Sequence, residues 1–216
     1  MKERGMIFNA EMVRALLDGR KTQTRRIIKD CTVGRDPISK FIKIGKKFIG
    51  CYPEDVPELI RECCPYGVPG DRIWVRETWA RYNIDQNIHD IAYRATTPAD
   101  WPEEGRWRPS IHMPRWASRI LLEITDVRVE RLNAISPEDA ESEGLERTNF
   151  TGFGDEPGLP SYPEPDVYFD PLKKQWKEYP PEAFAGLWES IYGEGSWLAN
   201  PWVWVIEFKR VEGGAA

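Results

Sequence analysis

Met12, Val13, Leu16 and Leu17 fall on one face at helical spacing, which predicts a helix opening at Asn9 and closing at Gly19. Asn9 suits an N-cap, and Phe8 and Val13 stand where a hydrophobic staple forms. Gly19 can take the left-handed conformation that ends a helix. The period then changes to two. In "TQTRRII", Thr22, Thr24 and Arg26 share one face of a predicted strand, and Gln23 and Arg25 share the other. Neither face at the start of this strand is apolar, so at least one of them needs water or a ligand.

Further along, Pro69-Gly70 fits the centre of a type II turn, and Ile73 to Trp79 read as the strand that follows. "ASRILLEITDVRVERL" predicts a long strand or a bent strand pair. "SPEDAESEGL" is a compact helix: Ser136 caps it, Pro137 takes the first position, Asp139 stands where a capping-box acid belongs, and Gly144 stops it. "PEAFAGLWESIYG" is amphipathic through Phe184, Leu187, Trp188 and Ile191. "PWVWVIEFKRV" is apolar on both faces from Trp202 to Ile206, as a central strand would be. Residues 29–67 are irregular apart from a hairpin signal in "SKFIKIGKKFIGCY", and 82–116 read as an excursion. Residues 146–180, rich in Gly, Pro, Tyr and acids, read as a long loop or flap. The expectation is α+β: one domain over 1–211, a small β-barrel with short flanking helices and large insertions at about 29–67, 82–116 and 146–180, and a frayed tail at 212–216.

Composition narrows the partners. The 216 residues carry a net charge of −5, yet residues 1–50 hold thirteen Lys/Arg against five Asp/Glu. That asymmetry predicts one basic face on an acidic body. A chain that coats long duplexes would be more basic overall, so a nucleoside or a short single-stranded nucleic acid, RNA before DNA, fits better. No apolar run reaches the length of a membrane span and "MKERGMIFNAEM" lacks the middle of a signal peptide, so a cytoplasmic monomer without membrane contact is expected. The cysteines at 31, 51, 63 and 64 are then thiols, and their spacing lacks the Cys-x-x-Cys of a zinc knuckle. No glycine-rich phosphate loop is present, and neither a metal nor a cofactor is expected.

The candidate chemistry begins in "GRKTQTRR", residues 19–26. A helix C-terminus tolerates cations, which accounts for Arg20 and Lys21 without any ligand. It does not account for Thr24 and Arg26 on one strand face. Lys21 lies in the turn before the strand, which frees its long stem to curl towards that face. A Thr hydroxyl is a poor nucleophile until a base takes its proton, and a desolvated Lys beside another cation can be that base. Arg25, on the opposite face, reads with Arg20 as a surface charge open to a polyanion. A second group, Trp79, Arg108, His112, Arg115 and Trp116, offers aromatic and guanidinium surfaces that stack on bases, or packs the excursion onto the barrel.

"GRKTQTRR" after a short helix, "PGDRIWVRE", "EDAESEGL" and a closing "WVIEFKRV" resemble the ASCH domain family of PUA-like barrels. With "WRPSIHMPRWASRI" and "ANPWVWVIEFKRV", the chain is similar to the larger ASCH proteins of phages and prophages. The resemblance covers most of the chain and is weakest over 29–62 and 146–180. It implies a β-barrel with a cleft beside the first helix, and an association with RNA and nucleoside chemistry. The motif is also similar to that of a family member that hydrolyses N4-acetylcytidine. That likeness implies catalytic roles for Lys21, Thr24 and a carboxylate, Glu143 or Glu141.

Three functions stay open on the sequence. One is metal-independent hydrolysis of an exocyclic amide, with Lys21, Thr24 and Glu143 catalytic and Thr22, Arg25 and Arg26 binding. The second is a module that binds RNA, single-stranded DNA or a modified base without chemistry. The third is a metal-independent ribonuclease with Lys21 and His112 as acid and base.

Overall fold

The computed structural model describes residues 1–28, 31–33, 40–44, 47–51, 60, 64–83, 89–102, 105–148 and 167–211, with 31–51, 82–83, 89–90 and 167 described for their backbone alone. The architecture is α+β. Five strands form the main sheet: β1 (Glu3–Ile7), β2 (Gln23–Ile27), β6 (Arg72–Arg76), β9 (Leu121–Arg131) and β13 (Trp202–Arg210). Their order is β1-β6-β9-β13-β2, with β1 parallel to β6 and the other pairs antiparallel. Smaller sheets join β3 (Cys31–Val33), β4 (Lys40–Ile44) and β5 (Lys47–Cys51), then β7 (Trp79–Asn83) and β8 (His89–Tyr93), then β10 (Arg147–Thr148), β11 (Val167–Asp170) and β12 (Gln175–Lys177). The helices are α1 (Ala10–Leu17), α2 (Pro137–Ser142) and α3 (Pro180–Tyr192).

The apolar run in β13 makes it the centre of the molecule. Its alternation sends Trp204, Ile206 and Phe208 into one core with Phe8, Val13 and Leu16, and sends Val203 and Val205 into another with Phe184, Leu187 and Trp188. Each face is covered by helices: α1 packs on the first, α2 and α3 on the second. The long stretch before α2 forms one strand, β9, whose pairing with β13 shifts register between Glu207 and Phe208.

Three expectations change. Among the described residues the edge strands β1 and β2 do not pair, so the sheet is open and not a closed barrel. An Arg26 Nη2 hydrogen bond to the Ile7 carbonyl, 2.9 Å, spans the seam instead. The expected strand from Ile73 to Trp79 breaks at Glu77 and Thr78. There the Glu77 amide donates to Met113 Sδ and its carboxylate takes Arg119, which releases β7 to pair with β8. The 146–180 segment, expected as a long loop or flap, holds strands at its two ends and the first residue of α3; its middle, 149–166, lies outside the described residues, as does the tail.

The turns follow the sequence. Asn9 accepts from the Met12 amide at 2.8 Å, and Ser136 from the Asp139 amide at 3.1 Å. The Asp71 amide bonds the Val68 carbonyl at 2.9 Å around Pro69 and a Gly70 with φ +88°, which is a type II turn. Gly186 lets α3 lie against the β11 end: a Cβ there would stand 1.9 Å from Asp170 Oδ1, which already accepts from the Leu172 and Lys173 amides. Gly186→Ala is therefore expected to cost about 1–3 kcal/mol or more in urea denaturation, since a buried turn must move. An unchanged midpoint would mean that α3 does not rest on Asp170.

Candidate functional site

The basic run and the acidic helix fold onto each other. Lys21 and Glu143 form an isolated antiparallel bridge, and the Thr22 amide donates to the Ser142 carbonyl at 2.9 Å. Gly144 permits this approach twice over. Its φ is +87°, and a Cβ would stand 2.8 Å from both the Ala15 and Lys21 Cβ atoms. Lys21 Nζ then reaches Glu143 Oε2 and the Glu143 carbonyl oxygen, each at 2.8 Å. Both side chains are buried, with 0 % of Lys21 and 2 % of Glu143 exposed. Of the two candidate carboxylates, Glu143 is thus the one that faces Lys21. Glu141 instead accepts from the Tyr168 hydroxyl.

Arg25 is a correction. It is fully buried rather than a surface charge: its guanidinium pairs with Glu143 at 3.2 Å, Asp139 at 2.8 Å and Glu130 at 3.3 Å, and lies over the Phe184 ring. Arg128 extends the network to Asp139, Glu130 and Glu207, and donates to Gln23 Oε1. The polar face of Gln23 and Arg25 is therefore met largely by protein groups, with Gln23 Nε2 and Arg25 Nε left buried without a hydrogen-bond partner. Asp139 serves these arginines as well as holding its place in the first turn of α2. Arg20 clamps the turn after α2, donating to the carbonyls of Gly144 and Leu145 at 3.0 and 3.1 Å. Three of the four cations in "GRKTQTRR" thus bind the segment 139–145. Arg26 alone points to the other side, over the Phe8 ring.

Burial pushes the Lys21 ammonium below its usual range; Glu143 works against that shift, and Arg26 and Arg25 add to it. Burial would raise Asp139, but hydrogen bonds from Arg128 and Arg25 outweigh it and hold the carboxyl below the usual range.

Thr24, 1 % exposed, lines a narrow cavity of about 10 Å³ with Met12, Arg26, Glu143, Phe184, Trp188 and Tyr192. That is room for about one water molecule. Trp188 Nε1 is buried without a hydrogen-bond partner, an orphan donor on a residue of this wall. Phe184, Trp188 and Tyr192 come from α3 and were missing from the sequence reading of the site. The helical stripe through 184, 187, 188 and 191 was visible, but nothing local said that it would cap β2. Thr22 is exposed and outside the cavity.

The second group is split. Trp79 is buried, with Trp116 edge-on at 5.7 Å and Arg108 over its ring at 5.3 Å, so it packs the excursion and does not offer a free face. Trp116 keeps 56 % of its surface exposed, under Arg81. Arg115 pairs with Glu3 at 2.8 Å. His112 is exposed on a short turn, whereas Lys21 is enclosed with Glu143, and no described contact joins the two. Cys64 is a buried thiol, and the other three cysteine side chains lie outside the described residues. Among the described residues no three His, Cys, Asp or Glu side chains are grouped to hold a metal ion, and no helix is long and apolar enough to cross a membrane.

Comparison with protein-family models, with curated proteins and with solved structures gave no match.

Lys21→Met leaves the buried Glu143 with Arg25 alone, and is expected to cost about 3–5 kcal/mol in urea denaturation. The loss should be smaller than additive when combined with Glu143→Gln; additive losses would contradict a shared buried pair. Asp139 contributes stability that is present above its unfolded pKa, about 3.9, and lost as pH falls through its lower folded value. The stability gap between the protein and Asp139→Asn should therefore narrow from pH 6 towards pH 3, where a constant gap would deny the ion pairs their role.

Proposed function

We propose that the chain is a PUA-like protein of the ASCH type that hydrolyses an exocyclic amide on a modified nucleobase, with an N4-acetylcytidine-like compound as substrate. The observation that carries this reading is the enclosed Lys21–Glu143 pair at 2.8 Å beside a cavity whose walls include Thr24 and Glu143. In the proposed reaction neutral Lys21 accepts the Thr24 proton as Thr24 Oγ attacks the acyl carbon. The oxyanion is met by the Trp188 indole N–H and Arg26. The C–N bond breaks, the exocyclic nitrogen takes the proton from Lys21, and water then hydrolyses the acyl–Thr24 ester to free acid and Thr24. Glu143 holds the Lys21 amine in place throughout. Burial lowers the Lys21 pKa, which favours the neutral amine this scheme needs.

One observation favours a second reading, recognition of a modified base without chemistry. The cavity beside Thr24 is about 10 Å³, so an acyl group enters only if the Trp188 and Tyr192 side chains move aside. The two readings separate in one assay, in which the protein is incubated with N4-acetylcytidine and both bound ligand and released cytidine are measured by chromatography. The hydrolytic reading expects cytidine, turnover lost in Thr24→Val with the fold intact by circular dichroism, and kcat lowered about tenfold or more in Trp188→Phe. Saturable binding with no cytidine would sink hydrolysis and leave the second reading.

A further inference from the structure

Arg26, the cation of "GRKTQTRR" that α2 does not take, looks across the open seam between the edge strands. The seam is a cleft of about 540 Å³ lined by Gly5, Met6 and Ile7 of β1, Arg26 and Ile27 of β2, and Tyr66, Arg76 and Tyr192. Two guanidinium groups therefore share one cleft. Each has one described hydrogen bond, Arg26 to the Ile7 carbonyl and Arg76 to the Ile111 carbonyl, and each lies over an aromatic ring, Phe8 or Trp74. Neither has a carboxylate partner among the described ion pairs, although Arg115 beside the cleft pairs with Glu3. The Nε atoms of both Arg26 and Arg76 are buried without a hydrogen-bond partner.

That arrangement is costly without a ligand. Like charges facing one cleft repel, and enclosed N–H donors without acceptors lose their hydration. A chain with 35 acidic residues places none of the described ones there. The cleft is also cleared for the arginine stem: a Cβ on Gly5 would stand 2.9 Å from Arg76 Cδ and 2.6 Å from the Trp74 ring. The excursion is pinned beside it by the Arg76–Ile111 bond and the Arg115–Glu3 pair. Two planar forks of donors fit an oxyanion, and a phosphate accepts such forks through several oxygens at once. Tyr66 and Tyr192 supply aromatic surface on which a base can stack. The outer edges of β1 and β2, unpaired among the described residues, add main-chain groups able to meet the edge of a base.

We infer that the seam cleft is a nucleotide site in which Arg26 and Arg76 grip the phosphate ester and Tyr66 and Tyr192 flank the base. Arg26 and Tyr192 also line the Thr24 cavity, so the two spaces share a wall. The site rests on the cleft's own residues and holds whether or not Thr24 performs hydrolysis.

Isothermal titration of the full chain with cytidine 5′-monophosphate, cytidine and inorganic phosphate tests it. The nucleotide is expected to bind at least about tenfold more tightly than either fragment, and more weakly as salt is raised. Arg76→Gln should lower nucleotide affinity about tenfold or more with little effect on cytidine, and Arg76→Lys, which keeps the charge but not the fork, should lose part of that. Thermal unfolding identifies a misfolded variant, in which case Arg26→Gln replaces it in the same titration. Equal affinity for nucleotide and nucleoside, or for nucleotide and inorganic phosphate, would overturn the assignment, as would unchanged affinity in folded Arg76→Gln and Arg26→Gln.

Discussion

The buried pairing of Lys21 and Arg25 with Glu143 is the constraint on which the rest depends. Two cations and one carboxylate are removed from water in a space bounded by α1, β2, α2 and α3. Such charges are tolerated only when their partners are placed well, so the pairing fixes how the elements meet. The α2 segment must close on the strand start at Lys21, Gly144 must be glycine to let it, and Arg25 must run beneath α3 to Asp139 and Glu130. The start of β2 is then held in place, and Thr24 and Arg26 border, together with Glu143 of the network, the space that a ligand could use.

This division explains why so acidic a chain gathers cations in "GRKTQTRR". Arg20, Lys21 and Arg25 are answered by carbonyls and carboxylates of 130–145, over a hundred residues away in sequence. Within this run the positive charge is largely answered inside the fold, and Arg26 is left at the seam, where Arg76 joins it.

Much of the framework was legible because its signals are local. The caps at Asn9 and Ser136, the glycine stops, the α3 stripe and the two-faced apolar run of β13 each follow from neighbouring residues. The choice of Glu143 over Glu141 was open on the sequence, since both lie at the end of one acidic helix; only the bridge to Lys21 decides it. Arg25 was misplaced because period-two alternation gives the face of a residue but not what covers that face. The break at Glu77 was missed because it depends on Arg119 and Met113, both far along the chain. Arg76 could not be placed in the cleft from its neighbours for the same reason: the adjacent Glu77 pairs with Arg119, far along the chain, and leaves Arg76 to the cleft.

A crystal structure with N4-acetylcytidine bound to the Thr24→Val protein is the most direct test of the central claim. The account predicts that Trp188 and Tyr192 are displaced, the acyl group sits against residue 24 with Lys21 and Glu143 still paired, and the sugar lies towards Arg26 and the seam. A ligand bound elsewhere, with the Thr24 cavity still closed by α3, would contradict it.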